Sequence, residues 1–137
     1  AGVWIEVTTL VIPGHNDDDG ELRALTGWIA AELGPETPWH VSRFFPAHRM
    51  ADVPPTPLET LRRAAEIGFE AGLAHVYVGN AAQLEMEDTR CAGCGRVLLE
   101  RHGYRVIDRL GPGAACPGCG RVLAGRELGH GGRVPCG

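Results

Sequence analysis

Two C-x-x-C pairs, Cys91-Ala-Gly-Cys94-Gly and Cys116-Pro-Gly-Cys119-Gly, with 21 residues between Cys94 and Cys116, are the strongest chemical signal in the chain. Each pair offers two sulfurs to one ion, and the glycine that follows permits a tight turn. This is metal spacing rather than a disulfide framework. Zinc takes four thiolates in a closed tetrahedron, so Cys91, Cys94, Cys116 and Cys119 are expected to hold a structural zinc. A rubredoxin-like iron site competes, because its knuckles look alike; the few aromatics nearby favour zinc. Zn²⁺ with four thiolates carries a charge of about −2, which Arg90, Arg96 and Arg121 beside the knuckles would offset. Between the pairs, "RVLLERHGYRVIDRL" reads as two strands around a turn at His102-Gly103, making the whole a zinc ribbon. The fifth cysteine, Cys136, is read as a free terminal thiol.

A second concentration of polar chemistry lies in "WHVSRFFPAHRM", residues 39–50, where His40, Ser42, Arg43 and His48 end an otherwise apolar strand. Alternation along a strand puts His40, Ser42 and Phe44 on one face, and Glu6, Thr8 and Leu10 on one face of an earlier strand. In a βα barrel the inward residues at the C-terminal strand ends, and the loops after them, build the site. The plainer alternative is that His40 or Ser42 hydrogen-bonds a neighbour inside the lumen while Arg43 points outward to a helix carboxylate.

The elements that must position these residues follow from apolar periodicity. "VWIEVTTLVI" (3–12) reads as a strand broken by "PGHNDDDG". The next segment is helical: Asp17, Asp18 and Asp19 suit its positive N-terminal end, Leu22, Leu25, Ile29 and Leu33 form its stripe, and Gly34 stops it. After the strand "WHVSRFF", Thr56, Pro57 and Glu59 read as a capping box with proline at the first helical position. Leu58, Leu61, Ala65 and Phe69 form the second stripe, Gly72 ends it, and "LAHVYVGN" (73–80) is a third strand. The order strand-helix-strand-helix-strand with short turns implies parallel strands joined by right-handed crossovers. Three such strands leave both outer edges unpaired, so further strands are expected before Ala1. The expected organisation is α/β: residues 1–89 a βαβαβ part of a partial barrel, 90–125 a zinc ribbon, and 126–137 a tail.

Composition bounds the remaining classes. The 137 residues are 44% apolar, enough for a genuine core. No run approaches the roughly 20 apolar residues of a membrane span, and the first residues lack the features of a signal peptide. Reduced, metal-binding cysteines favour a cytoplasmic setting. The net charge of −4 conceals an asymmetry: residues 1–89 hold 5 Arg against 14 acids, and residues 90–137 hold 8 Arg against 3 acids. No lysine is present, so all 13 positive charges are guanidinium groups.

Taken together, "WIEVTTLVIPGHNDDDGELRAL", "PWHVSRFFPAHRM", "PPTPLETLRRAAEIGFEAGLAHVYVGN" and "CAGCG…GYRVI…CPGCG" resemble the C-terminal half of the AmmeMemoRadiSam system radical SAM enzyme, from Val3 to about Gly125. More distantly, "VIPG" followed by acids and "FFPAH" resemble the "VVPG" and "LLPYH" stretches of pyruvate formate-lyase activating enzymes. The resemblance implies the last strands of a radical SAM partial barrel, in which a [4Fe-4S] cluster binds S-adenosylmethionine and cleaves it reductively to a 5′-deoxyadenosyl radical. By motif matching it places His48 and Phe44 near the nucleoside of S-adenosylmethionine. Thr8 falls where the activating enzymes carry an arginine. With His40 and Ser42, these residues make up the expected cofactor-binding set. The family's C-x3-C-x2-C cluster motif is not in this chain, whose first cysteine is Cys91. The chain alone is therefore expected to be inactive, with the missing half of the barrel and, by family association, a Memo-like protein as partners.

A different class of function is a non-catalytic zinc-ribbon module whose basic charge meets nucleic acid or an acidic protein. Tyr104 is the only aromatic in the ribbon able to stack on a base, which disfavours nucleic acid. A third is electron transfer by an iron-loaded ribbon.

Overall fold

In the computed structural model, which describes residues 2–125, the chain is mixed α/β. It divides into two compact units, one spanning Ile5–Met86 and the other formed from Glu87 onward with the N-terminal residues through Trp4. The division falls slightly before the expected boundary at 89/90, because Glu87 and Asp88 already belong to the second unit: the Arg101 backbone N–H donates to Asp88 (2.7 Å) and its guanidinium to the Glu87 carbonyl (2.8 Å). The expected tail, 126–137, and Cys136 lie outside the described residues.

The first unit is a parallel three-stranded sheet of β1 (Val7–Val11), β2 (Trp39–Arg43) and β3 (Val76–Gly79), in that order, with helices α1 (Asp19–Trp28) and α2 (Leu58–Glu70) as crossovers. Strands added in sequence order by crossovers of one hand put both helices on one face. That face carries the core: Val11, Trp39, Val41, Val76 and Val78 meet Leu22 and Ile29 of the first crossover and Leu61, Ala64, Ala65 and Ile67 of α2. Trp39 is its largest fully buried member. Gly68 makes room for it, since a Cβ there would lie 2.9 Å from the indole ring. On the helices' outer side, Arg63 pairs with Asp19 (3.1 Å) and Arg23 with Glu70 (2.7 Å), tying α1 to α2.

Several local expectations change. β1 is shorter than 3–12, since its partner strand begins at Trp39, which pairs with Val7. β3 covers 76–79 rather than 73–80, and Val78 donates to the Met86 carbonyl (3.0 Å), so the returning chain partly covers the outer edge of β3. Asp18 caps α1 by accepting from the Glu21 N–H (3.2 Å), and the helix widens into a π-helical turn, Ile29–Leu33, before Gly34 at φ 103°. Thr56 is not a helix cap. The residue preceding α2 is Pro57, and the Thr56 hydroxyl is committed elsewhere: it donates to the Val11 carbonyl (2.6 Å) and accepts from the Phe44 N–H (2.9 Å). Phe69 is 48% exposed, so the buried stripe of α2 runs through Ala64, Ile67 and Gly68 as well as Leu61 and Ala65.

The second unit is an antiparallel sheet of β4 (Thr89–Arg90), β5 (Val97–His102) and β6 (Arg105–Asp108). Gly103, at φ 59°, with Tyr104 turns β5 into β6, one residue later than expected. Leu98, Leu99 and Leu123 pack with Cys91 and Cys116 into a small core. No helix among the described residues is long and apolar enough to cross a membrane.

Candidate functional site

The four cysteines meet as their spacing predicts. All four Sγ atoms lie within 4.8 Å of one another; Cys91 and Cys119 are 3.5 Å apart, and Cys94 and Cys116 3.6 Å. A tetrahedral zinc with Zn–S of about 2.3 Å sets sulfurs about 3.8 Å apart, so the cage matches that ion and is too open for disulfides, whose sulfurs lie about 2 Å apart. The two knuckles repeat each other bond for bond. Cys91 N–H donates to the Arg96 carbonyl and Cys116 N–H to that of Arg121, both at 2.8 Å. Gly95 N–H donates to the Cys91 carbonyl and Gly120 N–H to that of Cys116, again at 2.8 Å, with both glycines left-handed at φ 73° and 76°. Gly93 and Gly118 each direct an N–H at a knuckle sulfur, Cys91 and Cys116, at 3.4 Å.

Such N–H donors favour thiolates, which are the form that binds a metal. The backbone N–H of Cys94, followed by that of Gly93, outweighs burial and brings the Cys91 thiol down to about 6. Burial works against the Cys116 thiolate, but the N–H groups of Gly118 and Cys119 together win and lower it. At Cys119 the Arg121 N–H favours the thiolate, yet the neighbouring Cys91 sulfur and burial outweigh it and push the thiol up to about 11. Sulfurs this close cannot all ionise unless a cation sits among them. The donor set, its separation and its N–H bonds are those of a closed four-thiolate site for an ion such as zinc.

The residues expected to bind a nucleoside cofactor lie elsewhere, and the sheet brings only some of them together. Both helices cover one face; the other carries Glu6, Thr8, Leu10, His40, Ser42 and Tyr77. Register sets Thr8 and Tyr77 on either side of His40, and Leu10 and Gly79 on either side of Ser42. His40 Nε2 lies 2.6 Å from Glu6 Oε2, and its ring stacks on Tyr77 with centroids 5.0 Å apart. A carboxylate on one ring nitrogen fixes the orientation of an imidazole and leaves the other nitrogen for a ligand. Ser42 is half-buried and Thr8 exposed.

Phe44 is buried, although it stands outside the apolar cluster between sheet and helices. His48 is exposed in the loop after β2, with a left-handed backbone at φ 49°, a conformation uncommon for a residue with a side chain. Arg43 does not reach a helix carboxylate: its Nε donates to the Thr56 carbonyl (2.8 Å), and its guanidinium lies 4.9 Å from the Phe45 ring centroid. Sequence reasoning missed Glu6 and Tyr77 as neighbours of His40. Alternation had put Glu6 on the right kind of face, but only the inter-strand register decides that its carboxylate reaches His40.

No family model matches the chain, and no solved structure matches it. Among curated proteins, the uncharacterized protein MJ0808 of Methanocaldococcus jannaschii is 45% identical over 105 residues, which are 77% of this chain and 32% of the relative. The chain thus spans about a third of the length of the curated relative it matches.

Proposed function

We propose that this chain is the C-terminal part of a radical SAM enzyme of the AmmeMemoRadiSam type, followed by a zinc ribbon. The observation that carries the reading is the sheet with its two faces: helices on one, and on the other a polar row of Glu6, Thr8, His40, Ser42 and Tyr77 at neighbouring register positions. Strands of a βα barrel are built this way, with helices outside and chemistry on the inner face near the C-terminal strand ends. A relative more than twice as long leaves ample chain for the remaining strands.

The residues of this chain do not supply the [4Fe-4S] cluster. Its first cysteine is Cys91, and all the described cysteines share one closed site. The cluster, which in such enzymes delivers the electron that cleaves S-adenosylmethionine, would take its ligands from the rest of the parent protein. The part assigned to this chain is binding: Ser42, Phe44 and His48 beside the nucleoside, and His40, held by Glu6 and Tyr77, facing the reaction space. The zinc site is structural, since four thiolates leave no open position for substrate.

The parent protein, with cluster reconstituted under anaerobic reducing conditions, should produce 5′-deoxyadenosine from S-adenosylmethionine. His48→Ala should slow production or weaken cofactor binding, by about 1–3 kcal/mol if one buried hydrogen bond is lost, with zinc and iron contents unchanged. A parent protein that forms no 5′-deoxyadenosine refutes the reading.

One observation favours a binding-module alternative: the cysteines lie in a compact unit of their own, with Tyr104 95% exposed at the β5–β6 turn. Against it, Arg101 and Arg109 are engaged within the unit, by the Glu87 carbonyl and by Glu100, so fewer guanidinium groups remain for phosphates. Salt-sensitive retention of nucleic acid by the zinc-loaded chain would favour this alternative.

A further inference from the structure

The two knuckles are not only repeats of each other; each is covered by the arginine of the other. Both carry the sequence Cys-x-Gly-Cys-Gly-Arg, ending in Arg96 and Arg121. A Cβ built on Gly118, in the second knuckle, would lie 2.8 Å from Nε of Arg96 and 3.4 Å from its Cζ. A Cβ built on Gly93, in the first, would lie 3.3 Å from Cδ of Arg121 and 3.4 Å from Sγ of Cys119. The glycine between the cysteines of each knuckle is thus the seat of the opposite arginine. The outer cysteines of the two pairs, Cys94 and Cys119, are the exposed ones, while Cys91 and Cys116 are buried.

We propose that Arg96 and Arg121 are positioning residues for the bound metal, acting crosswise. Each brings a permanent positive charge from one knuckle onto the other, so the doubly negative metal–thiolate centre is neutralised from both sides and the knuckles are held against opening. Arginine suits the role because its charge persists at any pH a protein meets and its guanidinium is more weakly hydrated than an ammonium. This goes beyond sequence neighbourhood, which puts each arginine beside its own knuckle. It rests on the reading that the four cysteines hold a divalent ion.

The test is the rate at which the zinc-loaded chain gives up zinc to an excess of a chromogenic chelator. Outer-shell partners are typically worth about 10- to 100-fold in metal affinity, so Arg96→Gln and Arg121→Gln should each speed release by about tenfold or more. Arg96→Lys should recover most of the loss, and added salt should speed release from the parent chain more than from the double Gln variant. Gly118→Ala supplies a second route: its backbone φ is not left-handed, so the new methyl displaces the flexible Arg96 side chain without removing a charge. It should release zinc as Arg96→Gln does, and the double variant Gly118→Ala/Arg96→Gln should be no faster than either alone. Cobalt(II) loading, with its tetrahedral thiolate absorption unchanged, shows that the variants keep the cage.

Release within twofold of the parent in the double Gln variant overturns the proposal, as does equal loss in the Lys and Gln variants. A parent chain that takes up no zinc overturns the metal reading itself; a zinc-holding parent with unchanged variants overturns the crosswise role alone.

Discussion

Replacing Thr56 by valine should loosen the place where the first two strands end. The Thr56 hydroxyl is fully buried, donates to the Val11 carbonyl at 2.6 Å and accepts from the Phe44 N–H at 2.9 Å. Val11 and Arg43 are register partners, so this single side chain ties β1 to the residue that follows β2. Valine keeps the shape and removes both bonds. Each buried group left without a partner costs about 1–3 kcal/mol, so the pair costs about 2–6. The added apolar burial of a methyl returns roughly 1 kcal/mol, for a net loss of about 3 kcal/mol. With an m-value of about 1.5 kcal/mol/M, the urea midpoint of this unit falls by about 2 M. Thr56→Ser is the control, because it keeps the hydroxyl and forfeits only a methyl, at about 1 kcal/mol. Unfolding is followed in zinc-containing buffer by the fluorescence of buried Trp39, and amide exchange at Phe44 reports the broken bond directly. If the valine variant is no less stable than the serine variant, Thr56 is not the tie described above.

Two further outcomes follow from the same geometry. Zinc affinity, measured by chelator competition, should fall on acidification, because protons compete for the thiolates. The dependence should steepen as pH drops below about 6, where the Cys91 thiol also takes up its proton; above that value it is already ionised and adds nothing to the slope. Gly68→Ala should destabilise the parallel unit by about 1–3 kcal/mol through overpacking, despite the better helix propensity of alanine, because the methyl would meet the Trp39 ring at 2.9 Å and the Val76 side chain at 3.0 Å. A thermal midpoint at or above that of the parent would show that the core yields there.

What the sequence determined by itself was whatever depends on residues close together in the chain. The knuckles were legible because Cys-x-x-Cys-Gly sets its own turn, down to the left-handed glycines at 95 and 120. Most of both helical stripes and the three strands were legible because burial of one face imposes a period on the sequence. The exceptions mark where local pattern loses to tertiary demand. Thr56 has the residue type and spacing of a helix cap, but a buried hydroxyl between two strand ends gains two backbone bonds there, and cap preference alone is worth about 1 kcal/mol. Phe69 continues the apolar period, yet α2 turns a face rich in small residues to the sheet so that Trp39 can fill the gap beside Gly68. The Glu6–His40–Tyr77 row and the crossed arginines were equally out of reach. Each depends on which residue of a distant segment arrives opposite, and register between strands or between knuckles is fixed by packing in three dimensions rather than by any neighbour along the chain.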